Sequence, residues 1–153
     1  MSRHVSVEAT VTVPVSAERA FAELLDAEGQ GRWMLGTSIY PVDGEVAAPE
    51  VGSRLVAFTG VLGFGILDTM EVTEHVPGRR WVVAHHGNVI KGSGVFSVDP
   101  EPGPTDRAVV RWAEELDLPF GVIGRLGWPI VKPAVRWGLQ KSLDSFAAML
   151  ARG

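Results

Sequence analysis

Between His4 and Val13 apolar and polar side chains alternate without a break, with Val5, Val7, Ala9, Val11 and Val13 set against Ser6, Glu8, Thr10 and Thr12. Successive side chains of an extended chain point to opposite faces, so a period of two predicts a strand with one buried face. Pro14 ends it, and Ser16 offers an N-cap hydroxyl to a short helix whose apolar stripe is Ala17, Ala20, Phe21, Leu24 and Leu25. Gly29 and Gly31 read as the stop of that helix, just before Trp33. From residue 35 to 117 the pattern is one of short strands: Ile39–Val42, Arg54–Leu62, Ile66–Val76, Arg80–His86, Val89–Val98 and Ala108–Leu118. They are separated by the turn-forming pairs Asp43-Gly44, Pro77-Gly78 and Gly87-Asn88 and by the loop Pro100 to Pro104. Connections this short join antiparallel neighbours, because a parallel crossover needs a dozen residues or more.

Then the period changes. Ala134–Ala151 places Val135, Leu139, Leu143, Phe146, Ala147 and Leu150 on one stripe, which predicts an amphipathic helix. Pro129 and Pro133 suit its approach and first turn, and the Gly- and Pro-rich residues 119–133 read as a loop leading into it. A helix of about 20 residues spans roughly 30 Å, enough to cross a small sheet. The whole therefore reads as α+β: one strand, a short helix pair, six further antiparallel strands and a long C-terminal helix, forming a single domain over residues 1–153.

Residues directly opposite on paired strands share a face, so the turns also predict which side chains meet. Centring Pro77-Gly78 pairs Val72 with Val83 and Met70 with His85; centring Gly87-Asn88 pairs His85 with Ile90 and Val83 with Gly92. Setting Phe96 opposite Val110 pairs Gly94 with Trp112 and Gly92 with Glu114. One face then collects Met70, Val72, Trp81, Val83, His85, Ile90, Phe96, Val110, Trp112, Glu114 and Leu116. It is apolar except for His85 and Glu114, the composition of a pocket wall with two placed polar groups. A one-residue bulge, for which Gly92 and Gly94 are the candidate positions, would reverse the assignment beyond it.

Composition narrows the chemistry. Apolar residues make up 46% and charged residues 21%, a globular balance. There is no cysteine, which excludes disulfides, thiolate nucleophiles, zinc fingers and iron–sulfur ligation and points to the reducing cytoplasm. The first residues show no secretory signal pattern, and no run of about 18 apolar residues occurs. The net charge of −4 is unevenly spread: residues 120–153 carry Arg125, Lys132, Arg136, Lys141 and Arg152 against Asp144 alone, +4 in all, leaving −8 elsewhere. Basic groups confined to one helical segment, with no aromatic interleaving, argue against a nucleic-acid partner.

The element order resembles the START-like (SRPBCC) superfamily and, within it, the polyketide cyclase/dehydrase-like proteins. The residues carrying the resemblance are Val11 to Glu18 with Phe21 and Trp33, Val72 to His75, Arg79-Arg80-Trp81, Gly92 to Phe96, and Arg107 to Trp112 before Glu114-Glu115-Leu116. They are fold motifs and cover essentially the whole chain. The resemblance implies a helix-grip fold, a curved seven-stranded antiparallel sheet wrapped around the C-terminal helix, with a cavity between them for a lipid, polyketide or related apolar molecule. Ligand contact is then expected from the inward residues Met70, Val72, Trp81, Val83, His85, Ile90, Phe96, Trp112 and Glu114, from Trp33, and from Leu139 and Leu143 of the helix. Oxygenases of the superfamily need an iron centre; the sequence offers no ligand set for one, and no cofactor is expected.

Each of these residues also has a plainer reading. Tryptophans most often pack cores. His85 and His86 are adjacent in a strand and so point apart, which argues against a shared metal ion and leaves His85 as a hydrogen-bonded histidine at a strand end. Glu114 is a general acid or base if inward, or a solvated side chain like Glu115 if a bulge turns it out. The Val61–Phe64 tip, between Gly60 and Gly65, reads as a flexible hairpin end gating the cavity. Leu118–Trp128 reads as packing with some lid character; contact with a membrane through Arg125 and Lys132 is the lesser alternative. Three functions follow: carriage of a hydrophobic small molecule, first; a cyclase or dehydratase with Glu114 and His85 as candidate catalytic residues, second; an accessory interaction protein, third. A dry pocket favours carriage, whereas two or more titratable groups converging on one ligand position favour chemistry.

Overall fold

The alternation of residues 4–13 is realised as strand β1, His4–Val13, with Val7, Ala9 and Val13 buried and Ser6, Glu8 and Thr10 exposed. In the computed structural model, which describes residues 4–42, 50–87 and 89–153, the chain continues through α1 (Ala17–Leu25), α2 (Ala27–Trp33), β2 (Thr37–Pro41), β3 (Arg54–Val61) and β4 (Phe64–Val76). It closes with β5 (Arg80–His86), β6 (Lys91–Pro100), β7 (Ala108–Asp117) and α3 (Gly121–Arg152). All seven strands form one antiparallel sheet in the order β1-β7-β6-β5-β4-β3-β2, the helix-grip arrangement the sequence predicts. The turn pair Asp43-Gly44 and Asn88 of the pair Gly87-Asn88 lie outside the described residues.

The core lies between the inward sheet face and the helices, and the fully buried Val13, Leu24, Leu55, Val72, Val98, Val110, Leu143 and Phe146 mark its centre. Ser16 caps α1 by accepting from the Arg19 N–H at 3.2 Å. The first helix is interrupted at Asp26, whose extended backbone ends α1 and opens α2, so Gly29 and Gly31 lie inside α2 and do not stop α1. Buried Gln30 reaches back to the Leu24 carbonyl at 2.6 Å, supplying a partner that the end of α1 lacks.

Three further sequence readings are corrected. The Gly- and Pro-rich residues 121–133 are the first turns of α3, not a loop. Pro129 and Pro133 cost the helix two N–H donors, but both are exposed, where water can reach the carbonyls left over. Ile90 is not opposite His85: β6 begins at Lys91, and the connection 87–90 is four residues long instead of a two-residue turn, so Gly92 takes that place. Phe96 faces Trp112 instead of Val110, which puts Gly94 opposite Glu114 and Gly92 opposite Leu116. Both register errors are of two residues, an even number, so every other inward residue keeps its face. The one bulge between these strands falls at Thr73 in β4, between the Val72 and Glu74 pairs, and neither Gly92 nor Gly94 supplies it.

Candidate functional site: a carboxylate–imidazole–carboxylate cluster

The inward face of the sheet brings Asp68 of β4, His85 of β5 and Glu114 of β7 into one hydrogen-bonded row. His85 Nδ1 lies 2.6 Å from Asp68 Oδ2 and His85 Nε2 lies 2.9 Å from Glu114 Oε2. The indole Nε1–H of Trp112 donates to the other oxygen of Glu114, Oε1, at 2.7 Å. The His85, Asp68 and Glu114 side chains are 7%, 8% and 13% exposed, so three ionisable groups share an enclosed position.

The contact between β5 and β7 needs an explanation, because β6 runs between them and strands two apart in a sheet are separated by roughly 10 Å. The two inward positions of β6 at this level are Gly92, opposite His85, and Gly94, opposite Glu114. Neither has a side chain, and the imidazole and carboxylate meet in the space above them. A Cβ built on Gly94 would sit 3.1 and 3.2 Å from the Glu114 oxygens and 3.2 Å from His85 Nε2.

Burial by itself lowers the pKa of His85, but hydrogen bonds to Asp68 and Glu114 and the charges of both outweigh it and raise the value to about 10. The ring is therefore an imidazolium at neutral pH, donating from both nitrogens. With two carboxylates the cluster carries one net negative charge. Its hydrogen-bonding capacity is asymmetric: the N–H groups of His85 and Trp112 are committed internally, while Asp68 Oδ1 is buried and has no hydrogen-bond partner among the described residues.

Of the residues expected to contact a ligand, Ile90 lies in the connection before β6 and has no strand partner, and the others keep the inward face or pack over it. Met70, Val72, Trp81, Val83 and Phe96 line the inward face and are buried, with Leu139 and Leu143 of α3 and Trp33 of α2 packed over them. The aromatic rings form one cluster: Trp33 lies 6.1 Å from Phe96, 6.1 Å from Trp112 and 5.0 Å from Phe146, and Trp81 stacks on Phe96 at 5.8 Å. They fill the middle of the concave face. Along β7 burial falls from Val110, which is fully buried, to Trp112, Glu114 and Leu116, which keep intermediate exposure, so the face opens toward the end that carries the cluster. His86 points the other way, is exposed, and lies 3.5 Å from Glu71, as alternation along a strand requires.

Asp68 escaped the sequence reading, as did the role of Gly94 as the gap in which His85 and Glu114 meet. The signal for Asp68 was present, since stepping back two residues from Met70 along β4 stays on the inward face. Gly94 has meaning only through what sits on either side of it in the sheet. A shallow surface cleft lined by Arg32, Ser145, Ala148, Met149 and Arg152 shares no residue with the cluster and brings no acid or imidazole together.

No curated protein matches the chain in sequence. Among solved structures, the Zhui aromatase/cyclase from a Streptomyces species superposes with a TM-score of 0.75 at 15% identity, covering 97% of this chain and 94% of that one. A START superfamily protein from Mycobacterium smegmatis gives 0.74 at 17% identity, with 96% and 97% covered. A protein from Thermus thermophilus gives 0.74 at 19%, with 97% and 98% covered. At such identities these likenesses establish the fold. The family described as polyketide cyclase / dehydrase and lipid transport matches residues 4–151, nearly the whole chain, and this protein belongs to that family.

Proposed function

We propose that the protein binds a small, largely apolar molecule against the open end of its concave sheet face, with a hydroxyl or other hydrogen-bond donor of the ligand turned toward Asp68 and Glu114. The observation that supports this is the hydrogen-bonded Asp68–His85–Glu114 cluster on a largely apolar inward wall, at the level where burial of β7 falls away. Polar groups so placed orient a ligand whose apolar body supplies the affinity. A cluster of net charge −1 with its N–H groups committed has acceptor lone pairs to offer, so it selects donors and repels carboxylates. The lack of cysteine suits a reducing compartment, and the proposal places the protein in the cytoplasm.

A second reading, acid–base chemistry of the cyclase or dehydratase kind, draws support from the same convergence of three titratable groups. In it Glu114 is the base. His85, with a pKa near 10, holds its proton throughout the neutral range, and its role is to hold Glu114 in place and balance its charge.

Binding of dodecanol and of dodecanoate at pH 7.5, followed by quenching of tryptophan fluorescence, tests the proposal. The alcohol is expected to bind about tenfold tighter or more, a difference of ~1.4 kcal/mol, and Glu114→Gln to narrow the gap. Equal or tighter binding of the carboxylate would defeat the reading. Should Glu114→Gln keep its affinity for the alcohol but abolish turnover of a poly-β-keto thioester that the native protein cyclises, chemistry replaces carriage.

A further inference from the structure

The first half of α3 carries apolar side chains on both sides. On the inner side Trp128 and Val135 pack against the core. On the outer side Ile123, Leu126, Ile130 and Trp137 follow one another at spacings of three, four and seven residues and are 77%, 74%, 80% and 57% exposed. At 100° per residue they fall on one stripe, opposite the packed face. Phe120 and Val122 add to it at the helix start, exposed by 75% and 58%. Four large side chains in register on one helix face, all in water, are an unpartnered surface and not scattered exposure.

The charges beside the stripe indicate what covers it. Between residues 118 and 143 there are four cations, Arg125, Lys132, Arg136 and Lys141, and no acid. Lys132, Arg136 and Lys141 are exposed. On the helical projection Arg136 lies roughly 110° to one side of the centre of the stripe and Lys141 roughly 30° to the other, so a cation stands on each side of it, while Lys132, roughly 150° away, lies nearer the packed face. A second copy of this face would bring like charges together. A neutral apolar partner would leave the basic borders without counter-charge. A surface that is apolar below and anionic at its edge satisfies both.

From this we infer that the outer face of residues 121–137 of α3 docks in the plane of an anionic lipid bilayer, with Ile123, Leu126, Ile130 and Trp137 among the acyl chains and Arg136 and Lys141 at the phosphates. Because α3 starts just beyond the end of β7, docking sets the open end of the sheet next to the membrane. The remainder of the chain, with net charge −8 outside residues 120–153, is repelled by the same surface, which fixes the orientation. No helix among the described residues is long and apolar enough to cross a membrane, so the association is peripheral.

The test is co-sedimentation of the full chain with vesicles of phosphatidylcholine alone and of phosphatidylcholine with an equal part of phosphatidylglycerol. The anionic vesicles are expected to bind at least about tenfold more tightly, with most of the difference lost in 0.5 M salt. The exposed double variant Ile123→Asp/Ile130→Asp should keep the native circular dichroism and thermal midpoint and lose binding by about tenfold or more, and Arg136→Glu/Lys141→Glu should lose the preference for anionic lipid. No binding to anionic vesicles, or binding unchanged in the Asp double variant, overturns the inference. A concentration-dependent dimer in light scattering that Ile130→Asp dissolves overturns it in favour of a second copy, and capture of a soluble protein through the same face in favour of a protein partner.

Discussion

Raising the pH should destabilise this protein through one side chain. His85 has a pKa of about 10 in the folded protein, against 6.5 for an unperturbed histidine. Because the folded value is the higher, folding takes up a proton wherever the pH lies between the two. The stabilisation is thus complete below pH 6.5 and is lost as the pH rises toward 10. In the middle of that window the slope is that of one proton, about 1.4 kcal/mol per pH unit. The full interval sets a ceiling of about 5 kcal/mol, and rearrangement of the cluster after deprotonation brings the expected loss to roughly 2 to 4 kcal/mol, a large share of the 5 to 15 kcal/mol typical of a domain. Urea unfolding followed by tryptophan fluorescence from pH 6 to 10.5 measures it. The other ionisable groups are common to the native chain and to His85→Gln, so the variant isolates the contribution. His85→Gln itself should cost about 3 to 5 kcal/mol at pH 7, because it leaves Asp68 and Glu114 enclosed together without a cation. If the His85 ring titrates near 6.5 by NMR, or the native and His85→Gln stability curves run parallel above pH 6.5, the reading of this cluster as a buried imidazolium fails.

Two further substitutions separate the site from the scaffold. Gly94→Ala inserts a methyl group against the Glu114 oxygens and His85 Nε2; weakening that charge-assisted bond should cost about 1 to 2 kcal/mol net of the gain from a stiffer unfolded chain, and should flatten the pH dependence, as denaturant titrations at pH 6.5 and 9 will show. Leu143→Ala, at a fully buried position of α3, should lower stability by about 2 to 5 kcal/mol in the same assay with the pH dependence unchanged.

The elements themselves were legible because their signals are local. Strict alternation made β1, turn chemistry cut the strands, and the 3.6-residue stripe made the second half of α3. The inward faces survived two wrong registers because each shift was even, and period two forgives an even slip. His85 and Glu114 accordingly fall on the right face, His85 opposite Met70 as expected, and only their partners on β6 differ from the reading. The first half of α3 was misread because local signals there disagree: Pro129, Pro133 and the glycines oppose a helix, and only packing of Trp128 and Val135 on the core, with both prolines turned to water, lets it form. The cluster belongs wholly to the tertiary structure. Asp68, His85 and Glu114 lie 17 and 29 residues apart along the chain and on three strands. What joins them is a strand order in which β6 separates β5 from β7 and shows a glycine where a side chain would hold them apart. The shift of His85 to a pKa of about 10 follows from that meeting in an enclosed place. Composition and periodicity determine which residues face inward; which of them touch depends on strand order and on the side chain that is missing between them.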